Sequence, residues 1–239
     1  MRIQICLFLF LHFGFIHAQS VDYKLSMPKP QNHQFHVEMT LNDFKEKTLD
    51  VSLPVWAPGS YLVREFSKNI NLVKAFDEKG NPLDVHKKKK NTWTITKDKQ
   101  SKVIVKYEVY AFELSVRTSF LDLTHGFVSG SGVFMFVEDH LNVKGIVEVL
   151  PYEGFSVVST ALPSDKNEIT YTYTDYDHLV DCPIEIGNQE VFDFEAAGVK
   201  HTVAIYGDGN YSIPDLKRDM AKIIEEETKV FGQNPNEDY

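Results

Sequence analysis

The sequence predicts a mainly β protein: an antiparallel β-sandwich or saddle-like sheet, followed by a small sheet and one amphipathic helix. Three observations carry that reading. Apolar and polar residues alternate in several short runs, most clearly at Val103, Val105, Tyr107 and Val109; a period of two marks a strand with one buried face. Turn-forming residues recur about every 8 to 12 positions, the spacing of a sandwich or a related sheet assembly. Near the end, Leu216, Met220, Ile223, Ile224, Thr228 and Phe231 fall on one helical stripe.

The first residues read as a secretory signal. Arg2 supplies a positive end, residues 5–16 are apolar, and His17-Ala18-Gln19 offers a small residue for cleavage after Ala18. The apolar run falls short of the about 20 residues that a membrane span needs, so no stable span is expected. Cys6 would leave with this segment, and Cys182 would remain alone, which excludes an internal disulfide in the mature chain. Cys182 reads as a small buried hydrophobe. The expectation is an exported protein, periplasmic or extracellular, held together by its core.

Phe35, Val37, Met39 and Leu41 share one face, as do Leu49, Val51, Leu53 and Val55, with Asn42-Asp43 as turn chemistry between the runs. This pattern predicts a hairpin. The stretch from Pro54 to Phe66, Pro-Val-Trp-Ala-Pro-Gly-Ser-Tyr-Leu-Val-Arg-Glu-Phe, then turns sharply. Pro58 presets φ for the first corner of a turn, and Gly59 accepts the positive φ that a type II turn requires next. Residue types alone describe a core corner, with Trp56, Tyr61 and Phe66 packed near Arg64 and Arg64 paired to a nearby carboxylate.

Further strands are expected over residues 70–76, around Trp93 and Ile95, and over 103–109. The run Lys87-Lys88-Lys89-Lys90 reads as a solvated hairpin tip with little aromatic company. Between residues 112 and 132 the pattern loosens, and Gly126, Gly130 and Gly132 permit unusual backbone or close approach. Val133-Phe134-Met135-Phe136-Val137 is continuously apolar and predicts a strand covered on both faces. The β pattern continues over 146–150, 155–159, 169–174, 191–194 and 199–206. Gly207-Asp208-Gly209-Asn210 breaks it, and a helix follows over 215–231, with Ser212 and Asp215 as a capping-box variant, Pro214 near the start and Gly232 as the C-terminal cap.

A content of 43% apolar and 13% aromatic residues supports a sizeable core, and a formal charge of −9 argues against a nucleic-acid partner.

The string Trp56-Ala57-Pro58-Gly59-Ser60-Tyr61-Leu62-Val63-Arg64-Glu65-Phe66-Ser67-Lys68-Asn69-Ile70 resembles the signature of the N-terminal domain of the glycyl aminopeptidase family of zinc metallopeptidases (metallopeptidase family 61). Tyr176-Asp177-His178-Leu179-Val180-Asp181-Cys182-Pro183-Ile184-Glu185-Ile186-Gly187 resembles the segment where that family passes into its catalytic domain. Residues 226–239 resemble the helix and Phe-Gly-x-x-Pro turn that precede the active site in thermolysin-like aminopeptidases. The resemblance implies a signal over 1–18, a β-rich N-terminal domain over 19–175, and the incomplete start of a thermolysin-like catalytic domain over 176–239. It also implies that the parent enzyme uses zinc, acts on peptides with N-terminal Gly or Ala, and carries catalytic and in some members PDZ domains beyond this chain. Tyr61, Arg64, His178 and Asp181 are the residues it places near the substrate cleft, in supporting roles.

Zinc catalysis needs three protein ligands and an open position, with two His one helical turn apart in HExxH. That motif is absent, so no catalytic residue, metal ligand or cofactor is expected in the chain itself. His33 and His36 sit where a strand begins, and their spacing puts them on opposite faces. His86, His125, His140, His178 and His201 are scattered. Asp181 could orient His178, although a structural histidine at a domain seam is the simpler account. Glu225-Glu226-Glu227 reads as a solvated charge run, and Gly130-Ser131-Gly132 lacks the strand-to-helix context of a nucleophile elbow. Two readings remain: the non-catalytic front portion of an exported aminopeptidase, walling its cleft, or a stand-alone exported β domain that binds or scaffolds without enzymatic activity.

Overall fold

A computed structural model describes residues 18–57, 59–164 and 169–234. The signal segment before Ala18, Pro58 and the polar tail at 235–239 lie outside the described residues. Seven strands open the chain: β1 (Ser20–Ser26), β2 (Gln34–Asn42), β3 (Thr48–Ser52), β4 (Ile70–Asp77), β5 (Pro82–Lys89), β6 (Thr92–Thr96) and β7 (Lys102–Tyr110). After them come β8 (Phe120–Leu121), β9 (Gly126–Val128), β10 (Phe136–Val137), β11 (Gly145–Leu150), β12 (Val157–Ser159) and β13 (Thr170–Tyr173). A short helix α1 (Tyr176–Asp181), strands β14 (Ile184–Gly187), β15 (Glu190–Ala196) and β16 (Val199–Ile205), and the long helix α2 (Ile213–Phe231) complete it.

The main sheet has 10 strands among the described residues, in the order β10-β3-β6-β5-β4-β7-β2-β1-β11-β13. Neighbours run antiparallel except β1 and β11, which are parallel, so the sheet is mixed. The alternation read from the sequence appears as burial: Phe35, Val37, Met39 and Leu41 of β2 and Val103, Val105, Tyr107 and Val109 of β7 are all buried. They share one core cluster with Leu49 and Val51 of β3 and Trp93 and Ile95 of β6. The sheet thus curls so that both ends contribute to a single core.

The expected hairpin between the second and third strands is not formed. β2 pairs with β1 and β7, and β3 pairs with β6 and β10. Period-two patterning fixes which face is buried, but it does not name the neighbour. Val55, expected on the buried face of the third strand, is instead exposed. The lysine run does lie at the tip of the β5–β6 hairpin and is exposed. It is less bare than expected: Lys87 Nζ lies 4.7 Å from the centre of the Trp93 ring, and Lys88 pairs with Asp50 at 2.5 Å.

The apolar run at 133–137 is buried apart from the half-buried Phe136, but only its last two residues form a strand, β10. Val133, Phe134 and Met135 are irregular and fully buried, so their backbone groups need partners other than a ladder. Tyrosine hydroxyls supply them. Tyr107 donates to the Val133 carbonyl at 2.9 Å and accepts from the Met135 N–H at 3.0 Å. Tyr176 donates to the Phe134 carbonyl at 2.8 Å, and Tyr23 donates to that of Met135. Burial pushes all three phenols up, so they keep the protons they donate.

Among the described residues a second sheet of 4 strands runs β12-β14-β9-β8, and β15 and β16 form a separate ribbon. The boundary expected after residue 175 falls between β13 and α1, while β14 pairs with both β9 and β12. Helix α2 packs along β15 and has no buried residue; Ile223, Val230 and Phe231 are exposed. Met220, Ile224 and Phe231 line a groove of about 860 Å³ against β16. Gly232 ends the helix at φ 84°, as its position after the apolar stripe predicts. The capping box is not formed: Ser212 is the N-cap residue, but its side chain makes no capping hydrogen bond. No helix among the described residues is long and apolar enough to cross a membrane.

Candidate functional site

The site is built where two distant segments meet. The first is the turn at 57–60. Ser60 N–H donates to the Ala57 carbonyl at 3.1 Å, and Gly59 takes φ 77°, the positive value that the turn requires. The Trp56 indole N–H donates back to the Ser60 carbonyl, which ties the turn from its other side. The second segment is α1. Asp175 caps it, its Oδ1 accepting from the His178 N–H at 2.8 Å; that hydrogen bond holds the Asp175 carboxyl below its usual range. Helix α1 lies against a single 3₁₀ turn at Gly130–Gly132. A Cβ on Gly130 would come within 2.8 Å of Val180 Cα, so only glycine lets the two backbones approach this closely.

Between them opens a cleft of about 750 Å³. Ala57, Gly59 and Ser60 of the turn, Ser129 and Ser131, and α1 through Asp177, His178 and Asp181 all line it. A second cleft of about 510 Å³ adjoins it, since Phe127, Asp181 and Pro183 line both, and continues toward Glu185 and the Lys200 side of β16.

Of the residues singled out from sequence, His178 and Asp181 line this cleft, whereas Tyr61 and Arg64 do not. The expected apolar packing around Arg64 is absent in part: Phe66 is buried, but Trp56 and Tyr61 are exposed, Tyr61 completely. Arg64 forms no ion pair among the described residues. Its Nε is buried without a hydrogen-bond partner, its backbone N–H donates to the Val55 carbonyl at 2.6 Å, and the neighbouring Glu65 pairs with Lys90. Nor does Asp181 orient His178. The His178 ring instead takes Thr174, with Nδ1 accepting the Thr174 N–H at 3.3 Å and lying 3.1 Å from its hydroxyl.

Other histidines serve structure. His33 Nδ1 bonds the Leu121 carbonyl at 2.6 Å, and its ring lies 3.7 Å from that of Phe112. His36 sits within β2, so the two do not act as a pair. Cys182 is buried, and Glu225, Glu226 and Glu227 are exposed, as their residue types suggested.

The sequence gives Glu185 and His125 no role as a pair. Glu185 sits between Ile184 and Ile186, both fully buried, and simple alternation would turn it to solvent. It lines the cleft shared with Lys200, Thr202 and Ala204 of β16 instead: its side chain is only 20% exposed, its Oε1 is buried without a hydrogen bond among the described residues, and burial raises its carboxyl to about 7. His125 Nε2 lies 3.9 Å from that oxygen. No local signal marks this pair, because the ribbon's position is not written in the strand's own pattern.

Zinc would need a cluster of donor side chains. Among the described residues no group of three or more His, Cys, Asp or Glu is arranged to hold a metal ion, so the residues present do not fit a catalytic zinc site. What fold and site define is a β-rich domain that borders a cleft. Residues 22–188 match the family described as the Peptidase M61 N-terminal domain, and the chain belongs to that family. The chain is also similar to a solved structure of an aminopeptidase N family protein from Idiomarina loihiensis, at 29% identity and a TM-score of 0.86. The likeness covers 92% of this chain but only 38% of that one. No protein of curated function matches.

Proposed function

We propose that this chain is the N-terminal, non-catalytic portion of an exported, zinc-dependent aminopeptidase of the glycyl aminopeptidase kind, and that it forms one wall of the peptide-binding cleft. The observation that carries this reading is the convergence of the 57–60 turn, residues 129–131 and α1 on one cleft. The two sequence strings that resemble the family are the ones that meet there. Membership of a peptidase N-terminal family supports a catalytic partner domain, and the solved relative is long enough to hold one. The apolar run after Arg2 supports export.

In this reading the metal and its ligands belong to the partner domain. This wall contributes shape, a short helix with Asp177 and Asp181, and a close backbone approach to that helix that Gly130 permits. The start of the catalytic domain falls within residues 176–239 in this reading, and the exposed Ile223, Val230 and Phe231 of α2 suit a helix that the rest of that domain would cover.

The purified 239-residue chain is therefore expected to hydrolyse no glycine arylamide, with or without added zinc. A fluorogenic Gly-arylamide assay with a chelator control checks this. Hydrolysis that the chelator abolishes would place the catalytic machinery inside this chain and overturn the assignment.

A further inference from the structure

The ribbon β15–β16 meets the second sheet at an aromatic and ionisable cluster that the cleft does not explain. His125 is buried, 5% exposed, at the turn between β8 and β9. Tyr206, the residue after β16, stacks on its ring at 3.8 Å with an interplanar angle of 23°, and Phe120 lies 4.9 Å away on the sheet side. A Cβ on Gly187, at the end of β14, would come within 3.1 Å of His125 Cβ, so glycine there lets the imidazole seat closely. Glu185 Oε1, buried and without a hydrogen bond, faces His125 Nε2 at 3.9 Å.

An imidazolium and a carboxylate are both costly in so buried a place. We propose that Glu185 and His125 share a single proton as a neutral pair, that this pair with Tyr206 stacked on it seats the β15–β16 ribbon on the β8–β9–β14 sheet, and that a second proton taken up in acid loosens the ribbon.

The surrounding charges fit this. On the His125 side stands Asp122: burial raises its carboxyl, but hydrogen bonds from Thr124 and the His125 backbone outweigh this and keep it low. Thr124 Oγ1 lies 3.1 Å from Nδ1, and the other titratable neighbour is the Tyr206 phenol. On the Glu185 side, Asp181 and Lys200 share its cleft, and Lys200 is engaged with Asp193 at 2.9 Å. No cation among the described residues is therefore paired with Glu185. Burial lowers His125, with Asp122 partly opposing, and raises Glu185 to about 7.

The signs follow from linkage. Neutral His125 contributes stability above the ordinary histidine range, and this is lost as pH falls through its lowered folded value. Protonated Glu185 contributes stability below the ordinary carboxylate range, lost as pH rises through about 7. Between the ordinary carboxylate and histidine ranges the pair carries one proton in the folded and the unfolded state alike, so the seam is firmest in mildly acidic solution; it weakens below the ordinary carboxylate range, where the opened pair takes a second proton that burial keeps off the seated one.

The test is amide hydrogen exchange of β15 and β16 in the full chain, corrected for intrinsic pH dependence and compared with β2 and β7. Between about pH 6 and about pH 4, relative exchange in the ribbon is expected to rise about threefold, the equivalent of about half a pKa unit and the limit that the ordinary carboxylate value of an opened Glu185 sets. His125→Phe keeps a ring for Tyr206 to stack on but cannot take a proton, and its ribbon is expected to show no such rise. An equal rise in the variant, or a flat response in the wild type, overturns the proposal. If the variant does not fold, the wild-type imidazole signals decide: His125 titrating below the ordinary histidine range, in step with ribbon exchange, supports it, and an ordinary titration with an unchanged ribbon overturns it.

Discussion

Replacing Gly145 with alanine is expected to destabilise the fold by roughly 3 kcal/mol or more, combining forced overpacking with the loss of a buried hydrogen bond. Gly145 opens β11 opposite Tyr173 of β13, two residues before the parallel β1–β11 ladder begins at Val147. An added Cβ would lie 1.7 Å from the Val21 carbonyl oxygen and 2.6 Å from the Tyr173 hydroxyl. Neither can yield cheaply. The carbonyl is backbone of β1, and the Tyr173 hydroxyl donates to that same carbonyl. The strands must separate, and two buried polar groups lose each other. For a chain of this size such a loss corresponds to a fall in Tm of about 6 to 12 °C. A thermal melt of Gly145→Ala within about 2 °C of the wild type would contradict this packing.

Phe134→Ala is expected to cost about 3 to 5 kcal/mol, the range for deleting a fully buried aromatic ring. Phe134 is 0% exposed and its ring centre lies 5.0 Å from that of Tyr23. It belongs to the irregular segment that tyrosine hydroxyls hold in place of a ladder, and its own carbonyl accepts from Tyr176 of α1. The cavity therefore opens beneath both the core and the helix that lines the cleft. Urea unfolding should show a lower midpoint with an unchanged m-value. A midpoint near the wild type would mean that the segment is not the packed centre described.

These two residues also show where sequence reading stops. The apolar run around Phe134 announced burial correctly, but a continuous run cannot distinguish a strand from irregular backbone satisfied by side chains. Gly145 carried no pattern at all, because its need for space comes from Val21, more than a hundred positions earlier. Val21, Tyr23 and Leu25 alternate in β1, yet that strand went unread, and without it the true partners of β2 stayed hidden. Strand faces, the long helix and its glycine cap were legible because each is a local property. Helix α1 was missed because six residues are too few for a periodic signal.

The site was legible in the same partial way. The strings around Gly59 and His178 do converge on one cleft, but Tyr61 and Arg64, the chemically conspicuous members of the first, are not among its lining residues. The lining comes from the small residues of the turn. Side-chain type suggested which segment mattered, while tertiary packing decided which of its residues face the opening.

If this chain walls a peptide-binding cleft, a glycyl peptide should touch it at one place. The most direct measurement is a titration of the isotope-labelled chain with triglycine, followed by backbone amide NMR. Shifts are expected to cluster at residues 57–60, 127–131 and 177–183 and to be lost when Gly130→Val displaces α1. Shifts spread evenly over the surface, or confined to the charged outer face of the main sheet, would contradict the account.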